Sequence, residues 1–164
     1  MEPSEAVYQY LHNLDIEFVK HEHPAVHTVE EAWEYWKDID AQHCKNLFFR
    51  NQKGNQHYLV VLPHDCQVPV KTIQEKLNLG KLSFASERRL NKYLNLSQGA
   101  VSPFGLLNDT DNHVKVYIDQ SLKEANRVAF HPNDNEATIS LNSQDFFKFM
   151  DKAGNQYTVK NICS

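Results

Sequence analysis

The chain has no excess of positive charge, no long hydrophobic run and few cysteines, and each lack removes a class of protein. Its 17 Lys and Arg stand against 21 Asp and Glu, a formal net charge of −4. A protein that wraps a long stretch of nucleic acid needs a basic surface, because phosphate neutralisation dominates its affinity. A pocket that reads only the end of an RNA escapes that requirement. No apolar run approaches the ~20 residues needed to span a bilayer. The opening Met1-Glu2-Pro3-Ser4-Glu5 is acidic and lacks the basic start and apolar stretch of a signal peptide. Cys44, Cys66 and Cys163 are odd in number and widely spaced. No disulfide framework is expected, and a reducing, cytoplasmic setting is the default. The nine histidines do not fall into a zinc spacing such as paired C-x-x-C or H-E-x-x-H. They read as scattered and solvent-facing, and neither metal nor cofactor is expected.

What is present fits one compact domain over residues 1–164, with 41% hydrophobic and 23% charged residues. Ser4 is placed to cap a first helix running to about Asn13, with Val7, Leu11 and Leu14 on one side. A short strand is predicted at Ile16–His21. Thr28-Val29-Glu30-Glu31 has capping-box spacing and opens a helix to about Trp36. Cys44–Arg50 and Tyr58–Leu62 flank a turn-rich segment and read as a hairpin. Pro69 begins a helix carrying Val70, Ile73 and Leu77. A short strand is predicted at Leu82–Ala85, and Ser86 caps a helix carrying Leu90 and Leu94. Ser97–Asp111 is loop-like yet apolar. Strands follow at Val114–Ile118, Arg127–Phe130 and Ala137–Leu141. Asn142 or Ser143 starts a helix ended by Gly154, and Tyr157–Ile162 is a last strand. Interleaved strands and helices, with hairpins and longer crossovers mixed, predict an α/β domain with a mixed sheet.

Three features are candidates for chemistry. In the strand Cys44–Arg50, alternation puts Lys45 on one face with Leu47 and Phe49, and Asn46 on the other with Phe48. Both faces are apolar, so a lysine here is costly to bury unless its charge is paired or used. The bland alternative is a lysine at the strand's exposed start whose stem snorkels. The second feature is the loop Gly99-Ala100-Val101-Ser102-Pro103-Phe104-Gly105, whose bracketing glycines let the backbone approach a ligand and offer N–H donors to a carbonyl oxygen as negative charge grows on it, while the proline fixes the local geometry. A tight turn packed on the core fits it equally well. It is not a phosphate-binding loop, since no lysine follows a second glycine in the required place. The third is His131, at a strand end before the polar turn Pro132–Asn135, either positioning a substrate or simply closing a turn. A cysteine nucleophile has no local activating signature.

Taken together, the blocks T-V-E-E-A (Thr28–Ala32), H-C-K-N-L-F (His43–Phe48), H-Y-L-V-V (His57–Val61), G-A-V-S-P-F-G-L-L-N-D (Gly99–Asp109) and F-H-P-N-D-N-E-A-T (Phe130–Thr138) resemble the YbaK/ProX aminoacyl-tRNA deacylases, relatives of the editing domain inserted in bacterial prolyl-tRNA synthetases. The match runs in family order over nearly the whole chain and is most similar to the free-standing, alanine-directed members. The resemblance implies an α/β domain with a mixed, strongly curved sheet flanked by helices. It implies a trans-editing hydrolase that removes alanine from proline tRNA, with Cys-tRNA(Pro) deacylation or a non-catalytic binding module as alternatives. A metal- or thiol-dependent hydrolase is a further rival. Lys45 is the implied catalytic residue. Asn46, Gly99, Ala100, Val101, Ser102, Pro103 and His131 are implied to place the aminoacyl end; Ser102 fits the family pattern, and Ala100 stands where a small residue, often serine, is common. The implied partners are the acceptor end of proline tRNA, with prolyl-tRNA synthetase or an elongation factor for delivery, and neither membrane nor DNA.

Overall fold

The computed structural model of the protein describes residues 3–26 and 29–164. Eight strands form one mixed sheet in the order β1-β7-β6-β2-β3-β5-β8, with β4 attached to β2. In chain order these are β1 Phe18–Glu22, β2 Gln42–Asn51, β3 His57–Pro63, β4 Leu82–Phe84, β5 Lys115–Asp119, β6 Arg127–Phe130, β7 Ala137–Asn142 and β8 Tyr157–Lys160. Six helices accompany them: α1 Pro3–Asn13, α2 Val29–Trp36, α3 Val70–Lys76, α4 Glu87–Leu94, α5 Ser121–Glu124 and α6 Ser143–Ala153. The mixed α/β class follows as the sequence predicts. No helix among the described residues is long and apolar enough to cross a membrane.

The central hairpin sets the layout. β3 is buried at all seven positions, so both faces of the sheet are covered. On one face Phe48, Leu59, Val61, Val116 and Ile118 meet α1, α4, α6 and the apolar stretch Phe104–Leu106. On the other, Phe49, Tyr58, Val60 and Leu62 meet Ile73 and Leu77 of the α3 region and Ile162 of the tail. β2 antiparallel to β3 pairs Lys45 with Leu62 and Asn46 with Val61. The far edge of β2 changes partner along its length. Gln42 and His43 pair with β6, and Phe49–Asn51 pair with β4. Between them, residues 44–48 have no strand ladder on that edge, and that gap holds Lys45 and Asn46.

Local signals explain most of the element ends. Ser86 Oγ accepts from the Arg89 N–H at 3.2 Å and caps α4, a bond worth about 1 kcal/mol. Gly154, at φ +88°, ends α6 in the left-handed conformation that glycine adopts without penalty. Several expectations need correction. Ser4 lies inside α1, which already begins at Pro3, and Pro69 is the residue before α3 rather than its first. β8 stops at Lys160 because the next N–H groups turn away from the ladder: Ile162 and Cys163 donate to Asp119 Oδ1 at 2.8 and 3.0 Å. Ser97–Asp111 contains two 3-10 turns, Gln98–Ala100 and Pro103–Asn108. The short α5 has no periodic signature and was not anticipated. Thr28, the expected cap of α2, lies outside the described residues.

The cysteines depart from expectation. Cys66 and Cys163, separated by 97 residues, meet at a Cα distance of 5.8 Å and form a disulfide. Sequence spacing carries no information on such a meeting; the fold creates it by clamping the tail onto Asp119 beside the loop after β3. Cys44 is free, buried, and its thiol is pushed far up by burial.

Candidate active site

Lys45 and Asn46 leave β2 on opposite faces, as strand alternation requires. The half-buried Lys45 turns its amine onto the Cys66 carbonyl in the loop after β3. Its charge is thus neither loose in solvent nor paired with a carboxylate. Asn46 points to the other face, where Nδ2 donates to the Val101 carbonyl at 3.2 Å. That bond fixes the amide orientation, since a carbonyl accepts only from the nitrogen. Asn46 Oδ1 is then buried and without a partner among the described residues. An unsatisfied buried acceptor costs about 1–3 kcal/mol.

The Gly99–Pro103 loop is anchored from both ends. Ser102, fully buried, caps the following turn by accepting from the Phe104 N–H at 3.1 Å. Phe104 is also fully buried and packs edge-on against Phe130 and Phe149, at centroid distances of 5.9 and 5.0 Å. Ala100 donates its N–H to Ser97. Gly99 is exposed, and a Cβ placed on it would lie 3.3 Å from Asn135 Nδ2. Only a short residue lets the loop lie this close to the turn after β6.

That turn carries His131. Its Nδ1 faces the Ala137 carbonyl at 3.0 Å, so Nδ1 holds the proton and Nε2 keeps the lone pair. Burial lowers the affinity of the ring for a second proton. Beside the turn runs a groove of about 560 Å³ lined by Tyr8, Lys20, His23, Asp134, Glu136 and Ala137. The structure therefore brings Asn46, the Gly99–Pro103 loop and the His131 turn toward one another, while the Lys45 amine rests on the Cys66 side of the strand.

Sequence reasoning missed the aromatic and histidine wall next to this cluster. Trp36 stacks on His43 at 4.8 Å, Trp33 on His64 at 5.9 Å and Tyr35 on His23 at 5.2 Å. His43 Nε2 donates to the Trp36 carbonyl at 3.2 Å. Trp36 Nε1 donates to Thr138 Oγ1, whose hydroxyl in turn faces His23 Nε2 at 2.9 Å. His23, His43 and His57 are buried rather than solvent-facing. Helix-spaced tryptophans on α2 were the available signal; the histidines that meet them come from distant segments.

Burial also gives these rings a measurable signature. His43 is held down to about 4, by burial first and by nearby His64 as well. His57 is held at about 4, by burial first and then by His113 and Arg89. An unfolded histidine titrates near ~6.5, so below that pH the unfolded chain binds more protons than the folded one. The stability these rings contribute is intact above about 6.5 and is lost as pH falls toward about 4. Calorimetry should record a falling Tm between pH 6.5 and 5, where most carboxylates are still ionised, with a shallower slope for His57→Gln. A Tm flat across that interval would contradict neutral burial.

Comparisons with known proteins show the family. Residues 23–149 match the model of the aminoacyl-tRNA editing domain. The prolyl-tRNA editing protein ProX of Acetoanaerobium sticklandii is 45% identical over 161 residues, 96% of each chain. Prolyl-tRNA synthetase associated domain-containing protein 1 of Xenopus laevis is 39% identical over 149 residues, 88% of each. The crystal structure of a candidate trans-editing enzyme for prolyl tRNA synthetase superposes with a TM-score of 0.69, covering 98% of each chain at 19% identity, a likeness of fold. This chain belongs to the aminoacyl-tRNA editing domain family.

Proposed function

We propose that the protein is a trans-editing deacylase that hydrolyses the ester of mischarged proline tRNA, with alanine as the preferred amino acid. The observation that carries this reading is the 45% identity to ProX across 96% of both chains. Family membership makes the protein an aminoacyl-tRNA deacylase. Similarity to part of the proline–tRNA ligase of Limosilactobacillus reuteri, 30% over 116 residues, supports prolyl-tRNA synthetase as the source of its substrate.

The chemistry assigns each group a task. Proline's synthetase pocket cannot strongly reject the smaller alanine, because a few missing methylenes change binding by only about 1–3 kcal/mol. A second, smaller pocket corrects the error. In this reading the terminal nucleotide enters at the unladdered edge of β2. Lys45, on a flexible four-carbon stem, exchanges the Cys66 carbonyl for the phosphate or ribose of that nucleotide. With the Ala100 N–H engaged, backbone donors of the loop at Gly99, Val101 and Ser102 hold the aminoacyl carbonyl oxygen. Asn46 Oδ1 takes a hydrogen bond from the substrate, and His131 Nε2 faces the amino-acid end. Water adds to the ester carbon, assisted by the neighbouring ribose hydroxyl of the substrate itself. The carbon–oxygen bond to the ribose then breaks, the ribose oxygen takes a proton, and free alanine leaves.

A thiol-dependent mechanism finds no thiolate here, since Cys44 is buried with a raised pKa and the other two cysteines are joined. The test is amino-acid release from Ala-tRNA(Pro), Cys-tRNA(Pro) and Ser-tRNA(Pro) under multiple turnover. Alanine is expected to be released fastest. Faster release of cysteine would move the specificity, and binding without release would make the protein a carrier rather than an enzyme.

A further inference from the structure

The net charge of −4 conceals a segregation along the chain. Residues 1–40 carry ten Asp and Glu against two Lys and Arg, whereas residues 41–100 carry nine Lys and Arg against three Asp and Glu. Residues 101–164 are close to balance, with six against eight. The basic segment is also one spatial unit: it comprises β2, β3, α3, β4 and α4, with β3 and β4 both paired to β2.

Within that unit one face gathers cations. Leu90 and Leu94 seat α4 in the core on the same side of the sheet as Phe48, the side to which Asn46 points. Arg89 then ties the helix to the hairpin turn, donating to the Gly54 carbonyl at 2.9 Å and facing His57 Nε2 at 3.1 Å. This clip sets the hairpin turn, which carries the exposed Lys53, beside α4, which carries the exposed Arg88 and Lys92; Lys53 also lines a groove with Lys81 and Leu82. Arg50 lies opposite His57 in the β2–β3 register. The depressed pKa of His57 has burial as its first cause, followed by His113, Arg89, Lys92 and Arg50. The ion pairs formed among the described residues, Lys20–Glu22 and Lys37–Glu34, lie elsewhere. Of the acids, Glu87 lies on α4, and Asp109 and Asp111 share a groove with Lys92. By contrast α2, beside the His131 turn, is acidic, with Glu30, Glu31 and Glu34.

We propose that Lys53, Arg88 and Lys92 form a docking surface for an RNA phosphate backbone, the acceptor stem of the tRNA whose 3′ end enters beside Asn46. The inference rests on the editing reading for the identity of the RNA. From Asn46 to the turn after Asn51 is five residues of strand, on the order of 17 Å. The unpaired 3′ end of a tRNA bridges such a distance before its duplex begins. A patch of this size grips only the stem, which reconciles an acidic protein with an RNA substrate. Each lysine or arginine that neutralises a phosphate adds about one unit to the salt dependence of binding.

The test uses fluorescence anisotropy of uncharged tRNA(Pro) between 50 and 200 mM salt, values spanning roughly the range in which such contacts are lost. The triple variant Lys53→Glu, Arg88→Glu, Lys92→Glu is compared with wild type. A control triple, Lys123→Glu, Lys152→Glu, Lys160→Glu, makes the same change in net charge elsewhere, and circular dichroism verifies both folds. The first triple should raise Kd at least about tenfold and lower the salt slope by about three, with the control near wild type. Wild-type affinity and slope in the first triple, equal losses in the two triples, or no binding by wild type would each overturn the surface. Alanine release is followed in parallel. If wild type binds as proposed yet releases no alanine, the editing reading fails while the RNA surface stands.

Discussion

Lys45→Ala is expected to lower alanine release from Ala-tRNA(Pro) by at least about a hundredfold, the scale of loss when a substrate loses the anchor that aligns its reacting bond. The substitution should leave the fold intact. Lys45 is half-buried on β2, where one side of the strand has no ladder, and its amine bonds to a backbone carbonyl. A bond from a charged donor to a carbonyl contributes about 1.5–3 kcal/mol, less than the stability of a typical folded domain, so the variant should remain folded. Lys45→Arg is a sharper probe. Its planar guanidinium is larger and holds its donors in a fixed fork, so it should not restore the rate. A Lys45→Ala protein that turns over like wild type would remove the proposed centre, provided its Tm is unchanged.

Phe104→Ala should cost about 3–5 kcal/mol, measured by chemical denaturation, the range for emptying a buried aromatic site. Phe104 has no exposed surface and locks into Phe130 and Phe149. It also follows the loop whose Val101 carbonyl holds Asn46. The ring is thus the rivet between the core and the loop that carries the proposed substrate donors. Activity at a temperature where the variant remains folded should fall as well, in KM and kcat together, because loop and Asn46 lose their fixed relation. Loss of stability with undiminished kcat/KM would show that the loop's geometry does not depend on this anchor.

Much of this fold was legible because the signals were local. The alternation in Cys44–Arg50 separated Lys45 from Asn46 correctly, Ser86 marked the start of α4, and Gly154 marked the end of α6. The pieces that escaped are those made by distant segments. Asn46 meets Val101 across 55 residues, His23 meets Thr138 across 115, and Cys66 meets Cys163 across 97. No periodicity encodes such meetings. The histidines were misjudged for the same reason: a ring reads as polar until the indoles and carbonyls that bury it are in place. Total charge misled in another way, since one number averaged an acidic first segment with a basic middle. Family resemblance supplied the emphasis on Lys45 that residue patterns alone left open.

The account stands on a pocket that accepts a methyl side chain and refuses a pyrrolidine ring. The direct measurement is kcat/KM for deacylation of Ala-tRNA(Pro) and Pro-tRNA(Pro) by the same preparation of the wild-type protein. Alanine should be favoured by at least about a hundredfold, the scale on which small apolar pockets discriminate by size. Equal rates for the two esters, or faster loss of proline, would contradict it.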